Sequence, residues 1–241
     1  MIISYSRNFI FIKTKKTAGS AIEAALSVHA GPDDVVTPLG QTEEFDRQKL
    51  YPNVLPRNFT SDKAIEQRYL DALERRDRRA MQAAVRQAQR TSETRLKRHA
   101  GIKEAIQVAG EDFCSKAYKF TIERHPYEKA VSLAWFERSR KQEFDDALKS
   151  VLESKRYRNF ELYTRAGKLA VDFVMRYENL ADDLRVAEKA LGGLDVLSKM
   201  HKVNAQHRSD RRPAAELLTH EQKLIVQETC REEFDLLGYT C

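Results

Sequence analysis

The chain has 241 residues, 41% of them apolar and 32% charged, with three cysteines and a formal net charge of +6. One α/β domain spanning residues 1–241 fits that length, and the apolar fraction supports a core, which excludes disorder throughout. No run of about 18 apolar residues occurs, so neither a membrane span nor a leader is expected. Cys114, Cys230 and Cys241, odd in number and without metal-ligand spacing, fit inert thiols in a reducing, cytoplasmic setting.

In chain order, Phe9, Ile10, Phe11 and Ile12 suit a buried strand of a parallel sheet. Ala21, Ile22, Ala24, Ala25 and Leu26 suit a helix packed on it. Between them lie Lys13, Lys15, Lys16, Thr17, Ala18, Gly19 and Ser20. A strand, a basic hydroxyl-rich turn and a helix start can hold a phosphate, because free N–H groups and the positive end of the helix dipole face the anion. Lysine ammonium groups and hydroxyls add charge and donors.

Gly31 to Phe59 holds four of the six prolines and reads as loop. From about 61 to 98 the pattern turns helical, with Ser61 as the expected cap and Ile65, Tyr69 and Leu73 recurring every four residues. A charged helix or helical hairpin is expected there, lying over one end of the sheet. Residues 62–98 carry eleven basic and six acidic side chains, so +5 of the net +6 resides in this insertion. Such a field favours an anionic partner: a nucleotide, an acidic glycan or a nucleic acid. Arg75, Arg76, Arg78 and Arg79 either face that partner or form a solvated surface.

A short helix follows His99. Ala117 to Ile122 reads as a second buried strand, leading through Arg124-His-Pro-Tyr into a helix opened by Pro126. Helical patterns follow near 143–154 and 160–165, a third strand at 170–176, and a helix at 179–191 in which Glu178, Asn179 and Leu180 form the turn and cap. A basic loop, Lys202 to Pro213, leads to a last helix from Thr219 to about Leu236, opened by a capping box. Strands alternating with helices predict a parallel, doubly wound sheet.

Two stretches carry chemistry. Arg124 leaves a strand and Ser132 follows eight residues on, so a guanidinium and a hydroxyl can converge on one phosphate. The order F-I-x-x-x-K-T-x-G-S-x-I-E lacks the glycines that precede the lysine in the nucleoside triphosphatase phosphate loop. It resembles instead the 5′-phosphosulfate loop of the sulfotransferases, which in the 2-O-sulfotransferase-like branch commonly reads P-K-T-G-G-T-S. Lys15, Ala18 and Ser20 replace its proline, first glycine and threonine. Arg124-His-Pro-Tyr-Glu-Lys-Ala-Val-Ser132 is similar to the family's 3′-phosphate motif, with His125 in place of the usual asparagine or aspartate. The segments 172–180 and 234–239 resemble the family's E-x-L turn and C-terminal end, whereas 41–95 shares no motif.

The resemblance implies a P-loop-like sulfotransferase fold. It also implies transfer of a sulfuryl group from 3′-phosphoadenosine 5′-phosphosulfate to a hydroxyl of a glycan, lipid or small metabolite, with no metal. By it, Lys15, Lys16, Thr17, Ala18, Gly19 and Ser20 hold the phosphosulfate, and Arg124 and Ser132 hold the 3′-phosphate. Arg208 closes over the nucleotide, and Lys16 also stabilises charge on the leaving phosphate. His99, in Lys97-Arg-His-Ala-Gly-Ile-Lys-Glu-Ala-Ile, sits in a context close to the branch's K-H-A-x-x-x-E-I, whose histidine is the base that activates the acceptor. As a bare residue it also fits a cap of its own helix. Two other readings stay open: a nucleotide-dependent phosphotransferase, which would lack a Walker lysine–serine pair and an acidic magnesium ligand, and a basic nucleic-acid- or polyanion-binding protein. The second explains 62–98 but not two phosphate motifs, so no nucleic-acid partner is expected.

Overall fold

The computed structural model describes residues 1–91, 96–139, 141–200 and 210–240. It opens with β1 (Ile2–Ser4) and β2 (Phe9–Ile12), followed by α1 (Gly19–Ser27), β3 (Val35–Val36) and α2 (Gln41–Leu50). The insertion is α3 (Lys63–Glu74) and α4 (Arg78–Thr91), after which come α5 (Ile102–Ala109), α6 (Glu111–Lys116) and β4 (Tyr118–Glu123). Then α7 (Pro126–Glu137), α8 (Phe144–Ser154), the short hairpin β5 (Thr164–Arg165) and β6 (Lys168–Leu169), β7 (Phe173–Arg176) and α9 (Leu180–Ala190) follow. The end of the chain is α10 (Ala214–Leu217), α11 (His220–Thr229) and α12 (Arg231–Leu237).

The result is an α/β fold around a five-stranded sheet of order β3-β1-β2-β4-β7. Successive residues of a strand face opposite sides, and β2 uses both. Phe9 and Phe11 pack with Ile22, Leu26, Phe120 and Leu184, beneath α1 and α9. Ile10 and Ile12 pack with Ile102, Ala105 and Tyr163 on the other face. The pairs β2–β4 and β4–β7 are parallel, as expected. The sheet is mixed rather than wholly parallel, because β1 runs antiparallel to both β2 and β3. Only residues 5–8 join β1 to β2, and a parallel return needs a crossover of about a dozen residues or more.

Several elements depart from the sequence reading. The proline-rich stretch contains α2, whose Glu44 and Arg47 are fully buried as an ion pair at 2.6 Å. The insertion is a hairpin capped by Asp62 rather than Ser61, the Asp62 carboxylate accepting from the N–H groups of Ala64 and Ile65. Its two helices bury Ile65, Tyr69 and Leu73 against Met81, Ala84 and Ala88. At 160–165 a 3₁₀ turn (Phe160–Leu162) and β5 stand where a helix was expected. The expected last helix is broken at Cys230 into α11 and α12, while the capping box of Thr219 and Gln222 is present. Cys114 and Cys230 are buried thiols that burial pushes above their ordinary pKa, and Cys241 lies outside the described residues. Among the described residues, no helix is long and apolar enough to cross a membrane.

Candidate functional site

The carboxyl ends of β2, β4 and β7 open into one cavity of about 1200 Å³. Ligands of open α/β sheets bind outside the carboxyl ends of the strands. Lys15, Lys16, Thr17, Ala18, Gly19, Ser20, His99, Arg124 and Ser132 all line this cavity, although they come from three separate parts of the chain. Arg208 lies outside the described residues, but its neighbours Arg211 and Arg212 are on the wall.

The turn after β2 has the backbone form of an anion cradle. Lys16 and Ala18 adopt left-handed backbone, with φ of 62° and 64°, which turns successive N–H groups toward one side. The N–H groups of residues 16–20 donate to no acceptor among the described residues. Each left-handed residue that is not glycine costs about 1–2 kcal/mol, so the fold must hold this shape against strain. Lys13 supplies part of the hold. It is fully buried, and its Nζ lies 2.6 Å from Glu23 Oε2. Burial alone would raise the Glu23 carboxyl, but Lys13 and the Met1 amine overcome it and keep it at about 2.

Gly19 is needed because a Cβ there would meet Lys13 Cγ at 2.7 Å, and that buried side chain cannot step aside. Overpacking of this kind typically costs about 1–3 kcal/mol. Gly19→Ala is therefore expected to lower the unfolding free energy by that amount, and denaturant titration would read it. A variant as stable as wild type would show that Lys13 is free to move.

Thr17 contributes differently from the expectation. Its hydroxyl is buried and shares a 2.8 Å hydrogen bond with Thr14 Oγ1, which in turn donates to the Ile122 carbonyl. That chain ties the turn to β4, so Thr17 offers the cavity its N–H rather than its hydroxyl proton. The Ser20 and Ser132 hydroxyls have no partner among the described residues and line the wall.

Lys16 Nζ lies 4.0 Å from the centroid of Phe136, within cation–π range. Burial, aided by the nearby positive charges of Arg98 and Arg124, lowers its pKa to about 8, with Glu43 opposing. Burial and the adjacent Arg156 lower Lys15 as well.

Arg124 directly follows β4, and its guanidinium lies 4.4 Å from the Tyr177 ring centroid. One Nη donates to Glu128 Oε2 at 2.9 Å, while its Nε is buried without a hydrogen bond. His125 is the N-cap of α7. Its Nδ1 accepts from the Tyr127 N–H at 3.3 Å, as the side chains of asparagine and aspartate commonly do at helix starts. Its Nε2 reaches the Thr240 carbonyl at 3.0 Å. Glu178 accepts from the His125 N–H and from the Tyr239 hydroxyl, so it pins the C-terminal end.

His99 does not cap its own helix, since Gly101 holds that position in α5. A Cβ at Gly101 would come within 2.6 Å of the Leu162 carbonyl, which fixes glycine beside His99. The His99 Nδ1 lies 3.2 Å from the Lys13 carbonyl. A carbonyl only accepts, so Nδ1 carries the proton and Nε2 keeps its lone pair. Burial pushes the imidazole well below its ordinary 6.5, and Lys13 and Arg98 push it further.

Sequence reasoning missed part of the wall. Glu43 comes from α2, within a stretch read as loop, and pairs with Arg98 at 2.5 Å. Arg156, Phe136 and Tyr177 also line it, and no spacing marked them. Among the described residues, Arg98 is the one basic residue of the insertion that reaches the cavity. Arg75, Arg76, Arg78 and Arg79 are exposed elsewhere, with Arg76 and Arg78 over the Phe45 ring. No three His, Cys, Asp or Glu side chains converge among the described residues. Comparison with family models, curated proteins and solved structures gives no match.

Proposed function

We propose that the protein is a sulfotransferase moving a sulfuryl group from 3′-phosphoadenosine 5′-phosphosulfate to a hydroxyl acceptor. The observation that carries this reading is the meeting, in one cavity, of a strained N–H cradle, a second phosphate-binding pair and a neutral imidazole. A volume of about 1200 Å³ admits a nucleotide together with a second molecule. In this reading the N–H groups of residues 16–20, Lys16 and Ser20 hold the 5′-phosphosulfate, and Arg124 and Ser132 hold the 3′-phosphate.

The acceptor oxygen attacks sulfur in line while its proton passes to His99 Nε2. A bond from that oxygen to sulfur forms, and the bond from sulfur to the 5′-phosphate oxygen breaks. Its electron pair stays on the phosphate, where Lys16 and the cradle stabilise the added charge. The leaving group is adenosine 3′,5′-bisphosphate. The acceptor, whether glycan, lipid or small metabolite, meets the Arg98–Glu43 pair beside His99, which offers both donors and an acceptor to a hydroxyl-bearing molecule.

Calorimetry in metal-free buffer tests the reading. Adenosine 3′,5′-bisphosphate is expected to bind more tightly than adenosine 5′-phosphate, and equal affinities would refute the assignment. The pH dependence has a definite sign. Lys16 is charged below about 8 in the free protein, and a bound anion favours that charge. Affinity should therefore weaken as pH rises through about 8, with proton uptake on binding in that window. A Kd that is flat there would remove Lys16 from the anion site.

A further inference from the structure

Behind the cradle lies a chain of buried polar groups that the proposed reaction leaves unused. Asn159 has no exposure, and its side chain clamps the backbone of Lys15. Its Oδ1 accepts from the Lys15 N–H at 3.1 Å, and its Nδ2 donates to the Lys15 carbonyl at 3.1 Å. Asn159 is itself fixed, because Glu233 Oε1 accepts from its N–H at 2.7 Å and from the Phe160 N–H at 3.0 Å. The other oxygen of Glu233 meets Lys129 Nζ at 2.7 Å, and Lys129 also meets Glu123 Oε2 at 2.7 Å, all three being fully buried. Glu123 ends β4 immediately before Arg124, and its Oε2 accepts the Arg124 N–H at 3.0 Å.

We infer that Asn159 is a positioning residue for the 5′-phosphate cradle, locking Lys15 so that the strained residues 16–20 keep their N–H groups aimed into the cavity. This rests on the sulfotransferase reading. The physical reason is that Lys16 and Ala18 sit in unfavourable backbone and relax unless a neighbour is pinned. Asparagine suits the task because an amide supplies one donor and one acceptor to a backbone N–H and C=O at once. Aspartate of the same shape keeps only the acceptor and places a carboxylate oxygen against the Lys15 carbonyl.

The test compares three ligands on purified full-length protein: adenosine 5′-phosphate, adenosine 3′-phosphate and the bisphosphate. Asn159→Ala is expected to weaken the two ligands that carry a 5′-phosphate by about tenfold or more. Adenosine 3′-phosphate, which uses Arg124 and Ser132, should stay within about twofold. That split is the readout a merely structural role would not give, since general loosening weakens all three alike. Equal losses across the ligands, or no loss, would overturn the inference. Should Asn159→Ala not fold, Asn159→Asp is read by the same criterion. Wild-type protein that binds none of the three would overturn the parent reading, and is seen before any variant is made.

Discussion

His99→Ala is expected to lower kcat for acceptor sulfation by about 10²–10⁴-fold, the usual cost of losing a positioned base. Affinity for adenosine 3′,5′-bisphosphate and the melting temperature should stay near wild type. The imidazole is neutral with its lone pair on Nε2, because Nδ1 is committed to the Lys13 carbonyl. Its pKa lies well below 6.5 through burial and the nearby charges of Lys13 and Arg98. A base must be unprotonated, so the acid limb of kcat/KM should appear well below pH 6.5. On the alkaline side, kcat/KM for the donor should fall above about 8 as free Lys16 loses its proton. A plateau between those limits is expected from initial rates with labelled donor. Lys16→Ala should differ from His99→Ala by harming donor binding as well as turnover. Retention of more than about a third of wild-type turnover by His99→Ala would assign the base elsewhere. Glu178 is a poor substitute, since both of its carboxylate oxygens are held by His125 and Tyr239.

Arg124→Ala should abolish most of the preference for a 3′-phosphate. Truncating one partner of a desolvated charge pair costs about 2–5 kcal/mol, so bisphosphate affinity should fall by tens-fold or more. Adenosine 5′-phosphate should be affected far less. The Arg124 side chain is 18% exposed, and its pairing with Glu128 leaves Nε buried without a hydrogen bond. Removing the guanidinium also leaves the Glu128 carboxylate facing the incoming phosphate, which adds repulsion to the lost contact. Calorimetry with the two nucleotides gives the ratio directly. An unchanged ratio would move the 3′-phosphate to Arg211 and Arg212, the other guanidinium groups on that wall.

Local sequence was enough for the elements whose periodicity and caps are self-contained. The apolar run Phe9 to Ile12, the strand before Arg124, the proline that opens α7 and the box at Thr219 all read correctly, because each is decided by neighbours a few residues away. The two stretches read as phosphate-binding were legible as patterns because each lies within about a dozen consecutive residues, and the fold brings both to one cavity. Composition also placed +5 of the net charge in the insertion, but it did not say where those charges point. Tertiary packing turns all of them except Arg98 away from the cavity, among the described residues, and it brings Glu43 there from a stretch read as loop.

The direction of β1 followed from the short turn of residues 5–8, a steric matter that apolar patterning does not encode. The break at Cys230 is likewise tertiary, since α12 must aim Glu233 at Lys129 and at the Asn159 backbone. What the sequence determined by itself is the set of groups able to bind phosphate and the strands and helices that carry them. What only the folded chain decided is their chemistry. Lys13 and Lys16 owe their lowered pKa values to burial, and His99 owes its tautomer to a carbonyl 86 residues away. The Lys15 backbone owes its hydrogen-bond partner to an asparagine 144 residues further along the chain. Charge state and hydrogen-bond direction depend on what surrounds a group in space, and those surroundings come from segments whose meeting no local pattern records.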